Sequence, residues 1–517
     1  MKRRFKILQV LVVLGGIFML SCTDNFVEIN RNSNAIDINK NYPDKLLANA
    51  IEGIADRVFD VWLGHEIGSC WVQHMAKVQY TDEDRYVPRN DVINMVWNEL
   101  YAGPGIEVQR IYEIGDSLGN KNYKGVALVL KSYIFSVLTD IYGDIPYSQA
   151  FKVDSTYTPS YDQQESIYLD IIASLKIAND SLLSSSSSKI AGDILFDGDI
   201  TLWKRFANSL RLRLLMRMSN KSDYQDYIRQ EIDQMIANPA VYPLISDNSQ
   251  NAALIYLGSY PNNNPLNETY KTRDDHRVSK TLIDAMYNPN KHEHPDWRIV
   301  VYAETPAAGG FWIGLPNGLT SAKAAVYLGN GIRRTSKLGE YFRKPDAPGM
   351  FISSAEVNFL LAEATFRGLL TVATQTAQGY YEQGIGESYR QFAQEIVENV
   401  PIYYDEYQGV ARSIDDYIND FLAHDGAWET GKELEKIYNQ KWVAMFDQGL
   451  QAWFEWRRTG YPLLTPAVDG LNDGRIPQRL RYPSDEYARN GVKLSEAIER
   501  QGPDNLNTRV WWDVADN

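Results

Sequence analysis

From residue 42 onward, apolar side chains recur at intervals of three and four, the repeat of helices that bury one face. Residues 123–142 are apolar on nearly every side, through Val126, Leu130, Phe135 and Ile141 among others. A helix of that kind belongs inside a bundle of neighbours. Asp162-Gln163-Gln164-Glu165 has the form of a capping box, and Ile167, Ile171, Leu175, Ala178 and Leu182 follow at helical spacing. A serine run at 184–188 then reads as a flexible connection. In 203–218, Phe206, Leu210, Leu214 and Met218 form one stripe while Arg211, Arg213 and Arg217 point elsewhere, free to bridge to carboxylates. A second capping box, Ser353-Ser354-Ala355-Glu356, opens the helix that follows.

These segments predict four antiparallel helix pairs: 94–115 with 123–142, 162–184 with 201–219, 353–368 with 376–397, and 413–422 with 428–446. Pairs recurring in this way predict a mostly α fold, a tetratricopeptide-like helical solenoid with repeats over about 94–219 and 353–446. Between them, about 238–348, the texture changes to Pro, Gly and Asn, and only 280–287 reads as helix. Long irregular stretches more often present side chains for function than pack passively. This loop-rich lobe is expected to lie on the solenoid and to carry the ligand site, within a single body spanning 42–517.

The N-terminus adds an address. Lys2, Arg3, Arg4 and Lys6 precede an apolar run at 7–20, too short to cross a bilayer, and Met19-Leu20-Ser21-Cys22 ends it. Residues 1–21 are therefore expected to be a lipoprotein signal peptide. Cys22 would be the lipidated first residue, and the polar stretch 22–41 a flexible tether. Cys70 would then be the sole remaining thiol, and a disulfide within the chain is ruled out. The 517 residues carry 52 basic and 66 acidic side chains, a net charge of −14. Without a basic face, nucleic acid is excluded as a partner.

Motifs for chemistry are mostly near misses. Gly426 to Lys432 has the glycine and lysine spacing of a phosphate loop, but Glu433 stands where a hydroxyl should hold magnesium. His292-Glu293-His294 lacks the helical spacing of a zinc protease and reads as a solvated loop. Asp82-Glu83-Asp84 leaves room for a structural calcium, although a solvated acidic turn is the commoner outcome. No nucleophile elbow is present, and no cofactor is expected. A glycosidase pair of carboxylates cannot be read from spacing along a chain.

Several strings, in order and spread over most of the chain, together resemble the SusD/RagB outer-membrane nutrient-binding lipoproteins, in their SusD-like 2 branch. They include Asp140-Ile141-Tyr142-Gly143-Asp144-Ile145-Pro146-Tyr147, Phe196-Asp197-Gly198-Asp199 with Trp203 to Arg213, Glu356 to Ala364, Gln440-Lys441-Trp442, Glu455-Trp456-Arg457-Arg458-Thr459-Gly460 and Ile476 to Leu480. Apolar residues at helical spacing within them mark scaffold rather than ligand contact. The resemblance implies a lipid-anchored, cell-surface protein of the outer membrane. It would capture a nutrient without catalysis and deliver it to a SusC-like TonB-dependent transporter.

An oligosaccharide offers C–H faces to aromatic rings and hydroxyls to polar rims. The residues expected to bind it are Trp297 or Trp312 as platform, Tyr260 and Phe311 as flanks, and Asn264 and Asn317 for hydroxyls. Tyr80 and Tyr86 would face the same cleft, and Arg333 and Arg334 could supply a local basic pocket. The alternatives are a peptide ligand on the same architecture or, further off, a surface glycoside hydrolase.

Overall fold

The computed structural model describes residues 42–152, 156–183, 190–288, 294–403 and 412–514. The signal peptide, Cys22, the tether, the serine run and His292-Glu293 lie outside the described residues. From Pro43 onward the chain forms one compact unit. It is built mostly of helices, as the periodicity predicts, with three short two-stranded ladders among the described residues.

Three of the four expected pairs form. Lys121–Tyr142 packs between Ile106–Ser117 and Gln164–Ser181, Ile200–Arg217 continues the stack, and Ser354–Phe366 lies along Ala377–Arg390. Lys121–Tyr142 is long and apolar enough to cross a membrane, but 89% of its most apolar window is buried among these neighbours, so it is a core helix.

Several boundaries differ from expectation. The segment 94–115 is broken into Asn90–Leu100 and Ile106–Ser117, because Gly103 leaves helical geometry and Pro104 cannot donate to the preceding turn. Asp162 caps no helix. It sits in a two-residue strand and accepts from Tyr147 N, Ser148 N and Ser148 Oγ, tying down the preceding turn. The fourth pair is re-sorted: Ile414–Ala423 packs chiefly on Ala377–Arg390 and Ala393–Tyr403, while Glu433–Ala444 packs on Ser354–Phe366 and Gly449–Thr459. Periodicity reveals a helix's buried face but not what covers it.

Charged residues from the resembling strings, together with Arg217, meet inside this helical part. Arg213 lies 2.6 Å from Glu356, and Arg217 reaches Glu455 at 3.0 Å and Asp140 at 3.2 Å. Arg458 holds Glu363 at 2.6 Å and Glu455 at 2.8 Å, and Lys441 joins Glu455 at 2.8 Å. All of these side chains are buried. A buried ion pair is costly to desolvate, and losing one partner strands the other charge. The strings therefore fix how helices distant in sequence dock on one another.

The irregular lobe is not a separate body. Strand Ala252–Ile255 pairs with Pro348–Ile352, and Trp297, Tyr302 and Trp312 join the main hydrophobic core. The lobe also holds more helix than expected, in short pieces such as Pro265–Tyr270, Ile299–Tyr302 and Ser321–Val326.

Candidate functional site

A cleft of about 520 Å3 opens where the first described segments meet the lobe. One wall comes from Val61–Ser69, a π-helical turn capped by Asp60, whose carboxylate accepts from Leu63 N at 2.6 Å. Close packing fixes this wall. A Cβ on Gly68 would sit 2.5 Å from Leu450 N, and one on Gly449 would meet Ser69 and Gly64, so only glycines let the two backbones touch. The opposite wall depends on an antiparallel ladder in which Met75–Lys77 pairs with His276–Val278, setting Lys77 directly across from His276.

Trp62, Tyr80 and the stems of Arg89 and Arg273 line the cleft, with Gln79, Asp82, Thr272 and Asp274 at its edge. Arg89 lies over the Trp62 ring at 4.4 Å and Arg273 at 5.2 Å, while Arg273 also lies 5.5 Å from the Tyr80 ring. Each such contact contributes about 0.5–1 kcal/mol where partly exposed. Tyr80, 70% exposed, supplies the ring open to solvent. Its φ of 51° puts a bulky residue in left-handed backbone, an uncommon conformation that concentrates at ligand sites.

Beneath the surface runs a closed set of charges. Lys77 Nζ contacts Glu66 at 2.5 Å and Glu83 at 3.2 Å, Arg89 donates to Glu83 at 2.6 Å, and Arg273 pairs with Asp275. Burial pushes the Glu66 carboxyl up, but His276 and Lys77 outweigh it and hold it below the usual carboxylate range. Burial likewise raises Asp275, and Arg273 and His276 more than offset it. Three carboxylates thus face three cations beneath the cleft, while at its edge Asp82 lies near Arg85 and Asp274 pairs with Arg277 and Lys337, so most of the charge a ligand meets is already matched.

Glu66, Asp275 and His276 also place ligand atoms within 4.8 Å of one another, a spacing a metal ion could use. Lys77 already supplies the cation there, so the donor set does not call for one. The carboxylates of Asp82-Glu83-Asp84 diverge and do not form a calcium site. Glu83 is paired, Asp84 is buried and accepts from Lys77 N, Gly318 N and Asn317 Nδ2, and Asp82 faces solvent.

Of the eight residues expected to bind ligand, only Tyr80 lines this cleft. Trp297 is 1% exposed and Trp312 4%, with Trp312 Nε1 donating to Ala303 O at 2.8 Å. Neither shows a ring face to solvent, so both are corrected from platform to core. Tyr86 is buried edge-on against Trp71, with its hydroxyl accepting from Ala467 N. Asn264 caps Pro265–Tyr270 and donates to Ala347 O; Asn317 bridges Cys70 O, Met75 O, Asp84 and Ser279. Their amides are spent on holding loops. Tyr260 and Phe311 are exposed, but elsewhere, as are Arg333 and Arg334. Cys70 is buried core, as expected. Sequence reasoning missed Trp62, Lys77, Arg89 and Arg273; the charged run 271–277 within the lobe was the one visible hint.

A second hollow, of about 600 Å3, holds Tyr147 and Phe151 in the helical part, but both rings pack against Phe135. The cleft at Trp62 and Tyr80 is the better candidate.

Comparison with known families decides the lineage. Residues 33–483 match the SusD-like 2 family, described as starch-binding associating with outer membrane. The chain belongs to this SusD-like family. Solved structures agree along nearly the whole length. A chitin-binding protein is 26% identical, with a TM-score of 0.76 over 92% of this chain and 100% of its own. A SusD homolog from Bacteroides uniformis is 25% identical, with a TM-score of 0.74 over 92% of this chain and 100% of its own. A chitin-binding SusD homolog from Flavobacterium johnsoniae, 23% identical with a TM-score of 0.73 over 92% and 99%, shares the fold. A comparison with curated proteins finds no match. The mostly helical, tetratricopeptide-like architecture is thus that of a SusD-like protein, from a carbohydrate-binding family associated with the outer membrane.

Proposed function

We propose that this SusD-like protein captures neutral oligosaccharide in the cleft between Trp62 and Tyr80, without catalysis. A lipid on Cys22 would hold it at the cell surface, where it hands ligand to a SusC-like TonB-dependent transporter. The observation that carries this reading is the pairing of an open Tyr80 ring with a charge-balanced polar rim. A pyranose face stacks on the ring, and Gln79, Thr272, Asp82 and Asp274 answer hydroxyls. The two arginines stiffen the floor, because their charge is already matched below.

A glycosidase acid needs a carboxyl whose affinity for its proton is raised. Glu66 and Asp275 are shifted the other way, and Asp84, although raised to about 6, is buried with its oxygens taken up by Lys77 N, Gly318 N and Asn317 Nδ2, which favours binding over turnover. Handover requires release, so the expected dissociation constant lies between about 1 μM and 1 mM, roughly −8 to −4 kcal/mol.

Calorimetry on the full chain tests the proposal, with chitin oligosaccharides first, because a protein of this fold at 26% identity binds chitin. Starch-derived oligosaccharides come second. Saturable glycan binding that Tyr80→Ala weakens is expected. Binding of peptides with no glycan response would overturn it in favour of the peptide reading. A Cys22→Ser chain should leave the membrane fraction, and the intact chain should co-purify with an outer-membrane barrel.

A further inference from the structure

Away from the cleft, His294 of the lobe meets Asp420 and His424 at the end of Ile414–Ala423. We infer that these three side chains form a site for a divalent first-row transition metal ion, zinc in the first instance, clamping the lobe to that helix. One nitrogen from each imidazole and one carboxylate oxygen all lie within 4.8 Å of one another. His294 Nδ1 stands 3.0 Å from Asp420 Oδ2, and His424 Nδ1 stands 3.7 Å from Asp420 Oδ1. Ligand atoms around tetrahedral zinc, each about 2.0–2.1 Å from the ion, sit ~3.3 Å apart, so small side-chain shifts close the set. Imidazole and carboxylate together suit zinc, nickel or copper rather than calcium or magnesium. Three protein ligands leave a fourth position for water.

The arrangement is held in place before any ion arrives. Two residues past His294, Asp296 binds Arg298, whose guanidinium is fully buried and also reaches Ser388 and Gln440. That guanidinium lies 6.0 Å from the ring of Phe421, next to Asp420 on the helix, and Tyr389 packs on Phe421 as well. The segment carrying one ligand is thereby pinned against the helix carrying the other two. The imidazoles now stack with centroids 3.5 Å apart and planes 12° apart. Both histidines are partly exposed, 23% and 42%, so the rings can fan around an ion by turning about χ2. Without an ion, His424 Nδ1 donates to Asp420 O at 2.8 Å and His294 Nδ1 is hydrogen-bonded to Asp420 Oδ2 at 3.0 Å, so binding requires each ring to give up that contact and present an unprotonated nitrogen to the ion.

The test uses the full chain without a histidine tag, stripped with a chelator and titrated with zinc chloride in a calorimeter. One ion per chain is expected, with a rise in melting temperature. Asp420→Asn and His424→Ala should each weaken binding at least tenfold and abolish that rise. Their metal-free melting temperature and glycan binding should stay as in the wild type. Cobalt(II) gives a second readout, an intense visible absorption of four-coordinate ion that both variants lose. His294→Gln, expected to do the same, serves if either variant is poorly folded. Absence of stoichiometric zinc binding, or variants that bind like the wild type, would overturn the inference.

Discussion

Arg458 and Lys77 are both buried cations answering two glutamates each, yet their surroundings part company. Arg458, with Glu363 and Glu455, is buried among helices, and its network reaches solvent mainly at Arg367, whose side chain is 20% exposed. Lys77, with Glu66 and Glu83, sits one layer under a cleft, and its network surfaces through Arg89 and Arg273, whose side chains are 42% and 28% exposed. The sealed network sets the mutual position of distant helices. The open one neutralises its own charge and leaves stiff, flat groups around Tyr80. Buried ions thus serve docking in one region and the shaping of a surface in the other.

The largest effect should come from breaking the sealed network. Arg458→Met removes the cation shared by Glu363 and Glu455, leaving Arg367 to the first and Arg217 and Lys441 to the second, and a loss of about 3 kcal/mol is expected in urea unfolding. A loss under about 1 kcal/mol would mean that the network does not organise the scaffold.

In the open region, Tyr80→Ala should weaken glycan binding about tenfold, ~1.4 kcal/mol, with an unchanged melting temperature. Its ring is mostly in solvent, so stability has little to lose. A fall in melting temperature without a binding change would reverse the roles assigned to the two regions.

The pH dependence sharpens the contrast further. Burial pushes Asp84, beside the cleft, and Asp513 up to about 6, from 3.8. Their folded forms hold protons more tightly than the unfolded chain, so they oppose folding fully above about pH 6 and cease to do so below 3.8. Glu363 and Glu455 are raised by burial but lowered further by Arg458, ending below their ordinary 4.5. Their contribution is present above 4.5 and disappears as pH falls through their folded values. Buried His65 and His74, held down to about 3, work against the aspartates between pH 7 and 5, because only the unfolded chain protonates them there, so the clear expectation is a steep drop in melting temperature below about 4.5. A melting temperature that stays level between pH 4.5 and 3 would contradict this assignment.

The smallest effect is expected for Tyr260→Ala and Phe311→Ala, which should leave binding unchanged and alter stability by less than about 0.5 kcal/mol.

The helical scaffold was legible because the three-and-four repeat survives wherever a helix buries one face. The cap at Ser353 stands where the capping-box pattern placed it. Helix partners were not legible, as Ile414–Ala423 and Glu433–Ala444 illustrate, since periodicity carries no address. The site was largely hidden for a related reason. Trp62 and Arg273 are brought together by a three-residue ladder, too short to leave a pattern. Asn264 and Asn317 misled because an asparagine that ties loop backbone looks, in sequence, like one that greets a hydroxyl.

The ladder between Met75–Lys77 and His276–Val278 has a further consequence. On the proposed reading, neither the early part of the polypeptide nor its middle holds a sugar by itself. The mouth exists only once both have been made and zipped together, so any nick or truncation that frees one lip should silence it entirely.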